Sequence, residues 1–129
     1  MNRRVLMALS LALLTVAPGL VLAQEVTIEI QSADAKRDEA TGEPMLVLLM
    51  SGDGQEAFAD FTAAHVGEVV DVLVDGHLVT SPVIRSPISD RWMVLNGSFA
   101  LEAAEALAER LNRSAADVVV RVHRKQKNP

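Results

Sequence analysis

The dipeptide Asp75-Gly76 constrains the fold of this chain more than any other short feature. It lies between two apolar runs, Val69–Val74 and Leu78–Thr80. A two-residue hairpin turn needs positive φ at both central positions, and aspartate followed by glycine tolerates this well. The dipeptide therefore predicts a tight β-hairpin, and with it an antiparallel sheet.

Other short runs on both sides of this hairpin complete an α+β pattern. Apolar residues at helical spacing predict a first helix from Phe58 to His65 and a second over Leu101–Leu111, with Gly97 in the turn before the second. The remaining strands are predicted at Val26–Ile30, Met45–Met50, Trp92–Leu95 and Asp117–Val122. Met45–Met50 is apolar throughout, which predicts burial on both faces. The order predicts a split βαβ (ferredoxin-like) arrangement, in which a mostly antiparallel sheet carries two helices on one face.

Two segments are predicted to lack regular pairing. Gln31–Glu43 is polar and charged, which predicts an exposed loop. Pro82 and Pro87 bracket Val83–Ser86, and because proline cannot donate to a ladder, this stretch is predicted to be a sheet edge or an extended crossing segment. Gly67 is expected to close the first helix.

Residues 1–23 have the pattern of a secretory signal peptide. Two arginines precede an apolar run, and Pro18-Gly19 interrupts it before a small-residue exit at Ala23. We predict cleavage after Ala23 and a periplasmic mature protein, the alternative being an uncleaved membrane anchor. Residues 24–124 then form one domain, followed by a short basic tail at 125–129.

The composition excludes several classes of protein. The chain has no cysteine, hence no disulfide and no cysteine-ligated metal site. The formal net charge is −5, and loss of the two leader arginines takes it to −7, which argues against a nucleic-acid partner. The basic tail is compatible with at most a peripheral membrane contact.

Residues Thr41–Leu111 resemble the head subdomain of the first periplasmic domain of SecD, a subunit of the protein translocase SecDF. The resemblance opens with Thr41-Gly42-Glu43-Pro44, and its most specific parts are Asp75-Gly76 and Gly97-x-Phe99. Its other matched positions are Gly54, Phe58, Thr62, Val66-Gly67 and Ser81-Pro82. The resemblance implies a role in protein transport and contact with exported polypeptide.

The chain departs from the family pattern in ways that bear on function. SecD proteins carry six transmembrane helices and a base subdomain, which this sequence does not show. Asp90-Arg91 and the bulky Trp92 stand where the family has a glycine pair, and Ala100 replaces a threonine that caps the second helix. Ser98 becomes the expected cap. These differences predict a freestanding exported module without the family's proton coupling.

The sequence identifies no catalytic, cofactor-binding or metal-binding residues. Asp75, His77 and Ser81 have the residue types of a hydrolase triad, but Asp75 is accounted for by the turn, and His77 and Ser81 lie far apart along one strand. The three histidines lack zinc-ligand spacing. Convergence of His77, Ser81 and Asp71 in one cleft would nevertheless favour an enzyme.

The residues around the two prolines are the candidates for binding a partner. An edge strand of this kind accepts an extended peptide by strand addition. The candidate partner-binding residues are Ile84, Arg85, Ser86, Ile88, Arg91 and Trp92. If Trp92 is instead a core residue, the arginines are expected to pair with acidic helix faces. An exposed apolar strip at Ile84, Ile88 and Trp92 would favour protein binding.

These features predict a non-enzymatic periplasmic module that contacts exported polypeptide, a translocase or another envelope complex. Two alternatives stay open. One is a small periplasmic enzyme or metal-binding protein, and the other is a structural subunit of a membrane complex. The sequence leaves the oligomeric state undetermined.

Overall fold

The computed structural model describes residues 24–97 and 99–124. The predicted signal peptide, the Ser98 cap and the basic tail lie outside the described residues. The elements in chain order are β1 (Glu25–Ile28), β2 (Ile30–Arg37), β3 (Pro44–Met50), α1 (Gly52–Ala64), β4 (Val70–Val74), β5 (His77–Thr80), β6 (Trp92–Asn96), α2 (Leu101–Asn112) and β7 (Val118–Val122).

The strands of the described region form two antiparallel sheets. Their orders are β1-β7-β4-β5 and β2-β3-β6. The α+β class is confirmed, and the strands are divided between two sheets instead of sharing one. The helices are also divided, since α1 packs mainly on β1 and α2 mainly on β2.

The strand β2 explains the second sheet. The loop predicted at Gln31–Glu43 is wrong, because its first half pairs along the whole of β3. β2 is an edge strand, and after Ile30 at its start the only inward residues are the small Ala33 and Ala35, so its sequence pattern is polar. Asn112 on α2 accepts from the N–H of Ala33 and donates to its carbonyl, each at 2.9 Å, much as a neighbouring strand would.

Local chemistry fixes the ends of α1 and the hairpin. The Ser51 side chain accepts from the Gly54 N–H at 3.0 Å, so the turn predicted at Ser51–Gly54 is the capped first turn of the helix. Gly67, with a φ of 91°, follows the helix C-terminus. Asp75 and Gly76 have φ values of 54° and 79°, as the two-residue hairpin requires.

One apolar core draws side chains from both sheets and both helices. In β3 the burial alternates, with Leu46, Leu48 and Met50 buried and the residues between them half-buried. The prediction that this strand is buried on both faces is therefore wrong. α2 covers one face of the three-stranded sheet, and the residues between belong to its other face.

Candidate functional site

The strand β6 presents a free edge. It is the outermost strand of the sheet β2-β3-β6, and on its inner side it pairs with β3. The N–H of Met50 donates to the carbonyl of Arg91 at 2.8 Å, which fixes the alternation of the antiparallel ladder. The backbone N–H and C=O groups of Trp92, Val94 and Asn96 consequently point away from β3.

Two large apolar side chains on this strand are exposed. Trp92 is 57% exposed and Val94 is 53% exposed. They lie opposite Leu49 and Val47 of β3, on the sheet face that α2 does not cover. Trp92 is therefore a surface residue, and the interpretation of it as a core residue is not supported.

An apolar groove of about 390 Å³ runs beside the free edge of β6. It lies between β6 and the sheet that contains β4, with residues 82–84 and Ile88 along it. Its buried lining side chains are Phe58, Val70, Val72, Ile84, Met93 and Leu95, and its exposed ones include Pro82, Val83, Trp92 and Val94. The groove can therefore accept apolar side chains from a segment lying along β6.

The expected exposed strip at Ile84, Ile88 and Trp92 is not formed, because the two isoleucines are withdrawn from the surface. Ile84 is only 2% exposed, and its N–H donates to the Glu68 carbonyl while its own carbonyl accepts from Gly67. Ile88 is half-buried, and its N–H donates to the Thr62 hydroxyl at 2.9 Å. Both residues form the wall of the groove, and their burial follows from these anchors to the end of α1.

The polar candidates are exposed around the groove. Arg85 and Ser86 follow Ile84 and lie at the surface. Arg91 donates from Nη2 to the Gln31 side chain at 2.9 Å and to the Met50 carbonyl at 3.2 Å. The arginines do not pair with acidic helix faces within the part of the chain that the structure describes.

Asp71 and Ser81, which the sequence analysis named together with His77, do meet at a buried carboxylate, but their histidine partner is His123, which the sequence did not indicate. Asp71 is 6% exposed, and its Oδ1 accepts from the Ser81 hydroxyl at 2.7 Å and from the His123 ring at 2.8 Å. Arg121 lies 3.6 Å from its other oxygen. Burial alone raises the pKa of Asp71, but the hydrogen bonds from Ser81 and His123 and the charges of His123 and Arg121 outweigh it and lower the pKa.

This cluster does not have the arrangement of a hydrolase triad. The Ser81 hydroxyl donates to the carboxylate, whereas a nucleophilic serine must donate to an imidazole. His77, whose convergence with Asp71 and Ser81 would have favoured an enzyme, lies instead at the far end of β5 next to the hairpin turn. Asp71 on β4 instead fastens the ends of β5 and β7. Among residues 24–97 and 99–124, no group of three acidic or histidine side chains could hold a metal ion.

Two glycines shared with the family pattern mark close backbone approaches. A Cβ on Gly54 would lie 2.2 Å from the Glu29 carbonyl oxygen, and a Cβ on Gly97 would lie 2.9 Å from that of Val79. The first contact seats α1 on the β1–β2 junction, and the second brings the end of β6 against β5. Both glycines therefore serve the fold by allowing these close backbone approaches.

These features define a small α+β domain in which the open edge of β6 lies beside an apolar groove. The chain belongs to the SecDF P1 head subdomain family, whose model matches residues 19–118. The resemblance noted from the sequence is thereby confirmed.

Relatives and solved structures agree on this family. The chain is 36% identical over 93 residues to the protein translocase subunit SecD of Dictyoglomus turgidum, covering 72% of this chain and 23% of that protein. For SecD of Acidaminococcus fermentans the identity is 32% over 94 residues, covering 73% and 22%. The chain thus spans less than a quarter of the length of these curated relatives.

Two solved structures share the fold. The structure described as a membrane component SecDF that enhances protein export matches with a TM-score of 0.62 and 27% identity, covering 78% of this chain and 45% of that one. SecDF in its super-membrane-facing form matches with a TM-score of 0.59 and 28% identity, covering 65% and 11%. Within the described residues, no helix is long and apolar enough to span a membrane.

Proposed function

We propose that this domain is a non-enzymatic periplasmic module that binds an extended polypeptide along the free edge of β6. The observation that carries the proposal is the combination of this edge with exposed Trp92 and Val94 and with the adjoining groove. Strand addition of this kind takes its affinity from main-chain hydrogen bonds and its specificity from pockets for alternate side chains.

The two edges of the three-stranded sheet differ in a way that supports this choice. At β2 the amide of Asn112 already occupies the N–H and C=O of Ala33. At β6 the outward backbone groups of Trp92 and Val94 face the groove, and no strand of the described region pairs with them. Unpaired edges recruit other chains, so β6 is the edge suited to a partner.

The family supports a polypeptide as the partner. The curated relatives are translocase subunits, and one matched structure is of a SecDF component that enhances protein export. The leader pattern at residues 1–23 supports a periplasmic location. An exported chain before folding is extended and exposes apolar side chains, which is what the edge and groove would accept.

Photo-crosslinking in intact cells tests the proposal. A photoreactive amino acid is placed at Ser86 or at Val94, beside the groove, and at Glu105 on the exposed face of α2 as the control. Adducts with many unrelated exported proteins from the first two positions, but not from Glu105, would support the proposed function. A single dominant envelope partner would replace it with a dedicated subunit role, and the absence of adducts specific to the groove would overturn it.

A further inference from the structure

We infer that the polypeptide segments bound at β6 are those in which apolar residues alternate with polar or acidic ones, rather than continuously apolar segments. This inference rests on the proposed function and names its substrate class. It follows from the geometry of β6, from the two environments beside it and from the charges near the groove.

The geometry gives an added strand two different sides. Residues directly opposite each other in neighbouring strands share a face of the sheet. Side chains of the added segment opposite Met93 and Leu95 therefore turn to the inner face, where these two residues are buried. Side chains opposite Trp92 and Val94 turn to the outer face.

The two sides differ in their contact with water. On the inner side an added strand meets the apolar groove, with Phe58, Val70 and Val72 at its base. On the outer side it has Trp92 and Val94 as lateral neighbours, but no described element covers that face. Apolar side chains thus gain full burial only at every second position, which is the period of a strand.

The length of β6 limits what can be held. The strand has five residues, so it spans about 17 Å. It offers two inner positions, at Met93 and Leu95, two residues apart. A continuously apolar segment would leave its outward side chains in water, so its extra hydrophobicity would add little to binding.

Charge favours acidic residues among the polar ones. Arg85 and Arg91 form no ion pair with a carboxylate in the described part of the chain, although the chain as a whole has 17 acidic against 12 basic residues. Arg85 is exposed and directly follows the groove residue Ile84, whereas the guanidinium of Arg91 is held on the β3 side by Gln31 and Met50. A carboxylate beside the alternating stretch would therefore meet the positive charge of Arg85 on an otherwise acidic surface.

The protein contains its own reporter for a binding experiment. Trp92 is the sole tryptophan of the sequence, and it lies exposed at the site. Nine-residue peptides without tryptophan are titrated into the full chain, and the emission wavelength and acrylamide quenching of Trp92 are followed. One peptide alternates valine with serine and glutamate, and a second has the same composition with the valines grouped together.

We expect the alternating peptide to bind about tenfold more tightly than the grouped one. Equal affinity, or preference for the grouped peptide, would overturn the inference while leaving the proposed function intact. If neither peptide bound, both the inference and the proposed function would fall.

Backbone methylation and matched variants test the mode of binding. N-methyl groups on the alternate residues that hydrogen-bond to β6 should abolish binding of the alternating peptide, and the same groups shifted by one residue should spare it. Val94→Glu should weaken binding of the alternating peptide at least about fivefold because it places a carboxylate beside the outward glutamates, while Val66→Glu, at a valine of similar exposure (47%) outside the groove, should leave binding unchanged. In a third peptide lysine replaces the glutamates, and Arg85→Glu should reverse the preference of the protein for the glutamate peptide over this lysine peptide. Equal effects of the two methylation patterns would overturn binding by strand addition.

Discussion

Gly54 sits where the first turn of α1 crosses the backbone at Glu29. A Cβ at this position would lie 2.2 Å from the Glu29 carbonyl oxygen, whereas one on Gly52, two residues earlier, would meet nothing within 4 Å. We expect Gly54→Ala to destabilise the domain by about 3 kcal/mol because the helix must move off the β1–β2 junction. Gly52→Ala should change the stability by less than about 1 kcal/mol. Urea denaturation of both variants measures this, and equal effects would contradict the close approach.

Asp71 makes the stability of the domain depend on pH. Its pKa is lowered below the usual 3.8, so its ionised form stabilises the folded state above that pH, and this contribution is lost as the pH falls through the lower folded value. Asp71→Asn should cost about 1–3 kcal/mol near neutral pH, because Ser81 and His123 lose a charged acceptor. The difference from the unmodified protein should narrow as the pH falls below 3.8.

The exposed Asp34 provides the control for this measurement. Its only described ion pair is with Lys36 at 3.8 Å, and both side chains are mostly exposed. Asp34→Asn should therefore leave the free energy of unfolding unchanged within about 0.5 kcal/mol at every pH. A gap between Asp71→Asn and the unmodified protein that stayed constant down to low pH would show that the carboxylate acts through packing alone.

At the scale of the elements, the two helices begin differently. The Ser51 side chain caps α1, whereas Ala100 at the N-cap of α2 makes no side-chain cap. The backbone of Ala100 is already extended, with a φ of −77° and a ψ of 158°, so Ala100→Ser should stabilise the domain by about 1 kcal/mol, and Ser51→Ala should destabilise it by a similar amount. Thermal unfolding measures both changes, and a lower Tm for Ala100→Ser would contradict the expected cap.

The elements that could be predicted are those that a local sequence pattern specifies, either by turn-forming residues or by regularly spaced apolar residues. The hairpin at Asp75-Gly76 follows from turn chemistry, and α2 follows from apolar residues on a single helix face. β2 could not be recognised because, beyond Ile30, its inward residues are alanines and its outward residues are polar or charged. An edge strand under a helix does not carry the apolar pattern of a central strand.

The site was only partly predictable for a related reason. The predicted stretch from Ile84 to Trp92 borders the groove, but which of its side chains face water depends on contacts with α1 and on the register of β6 with β3. The Asp71 cluster joins residues 52 positions apart, Asp71 and His123. Only the pairing of β4 with β7 brings these residues together, and the sequence does not specify that pairing.

At the scale of the whole molecule, the two sheets share one core. Side chains from both sheets and both helices belong to it, so neither sheet has an apolar interior of its own. We expect unfolding in urea to be a single transition, with Trp92 fluorescence and far-ultraviolet circular dichroism giving the same midpoint. If the fluorescence changed at a lower urea concentration, the sheet β2-β3-β6 would be a separate and weaker unit.

The pairing of β1 with β7 has a mechanical consequence. These first and last strands run antiparallel, and the Val122 N–H donates to the Gln24 carbonyl, so the chain enters and leaves the domain side by side. Because its two ends are adjacent, such a domain can be inserted into a loop of a longer polypeptide. Tension applied through both ends would break the hydrogen bonds between β1 and β7 one after another rather than all together. The domain would therefore open from this corner under a small force, and β4, which lines the groove, is the strand that would lose its neighbour β7.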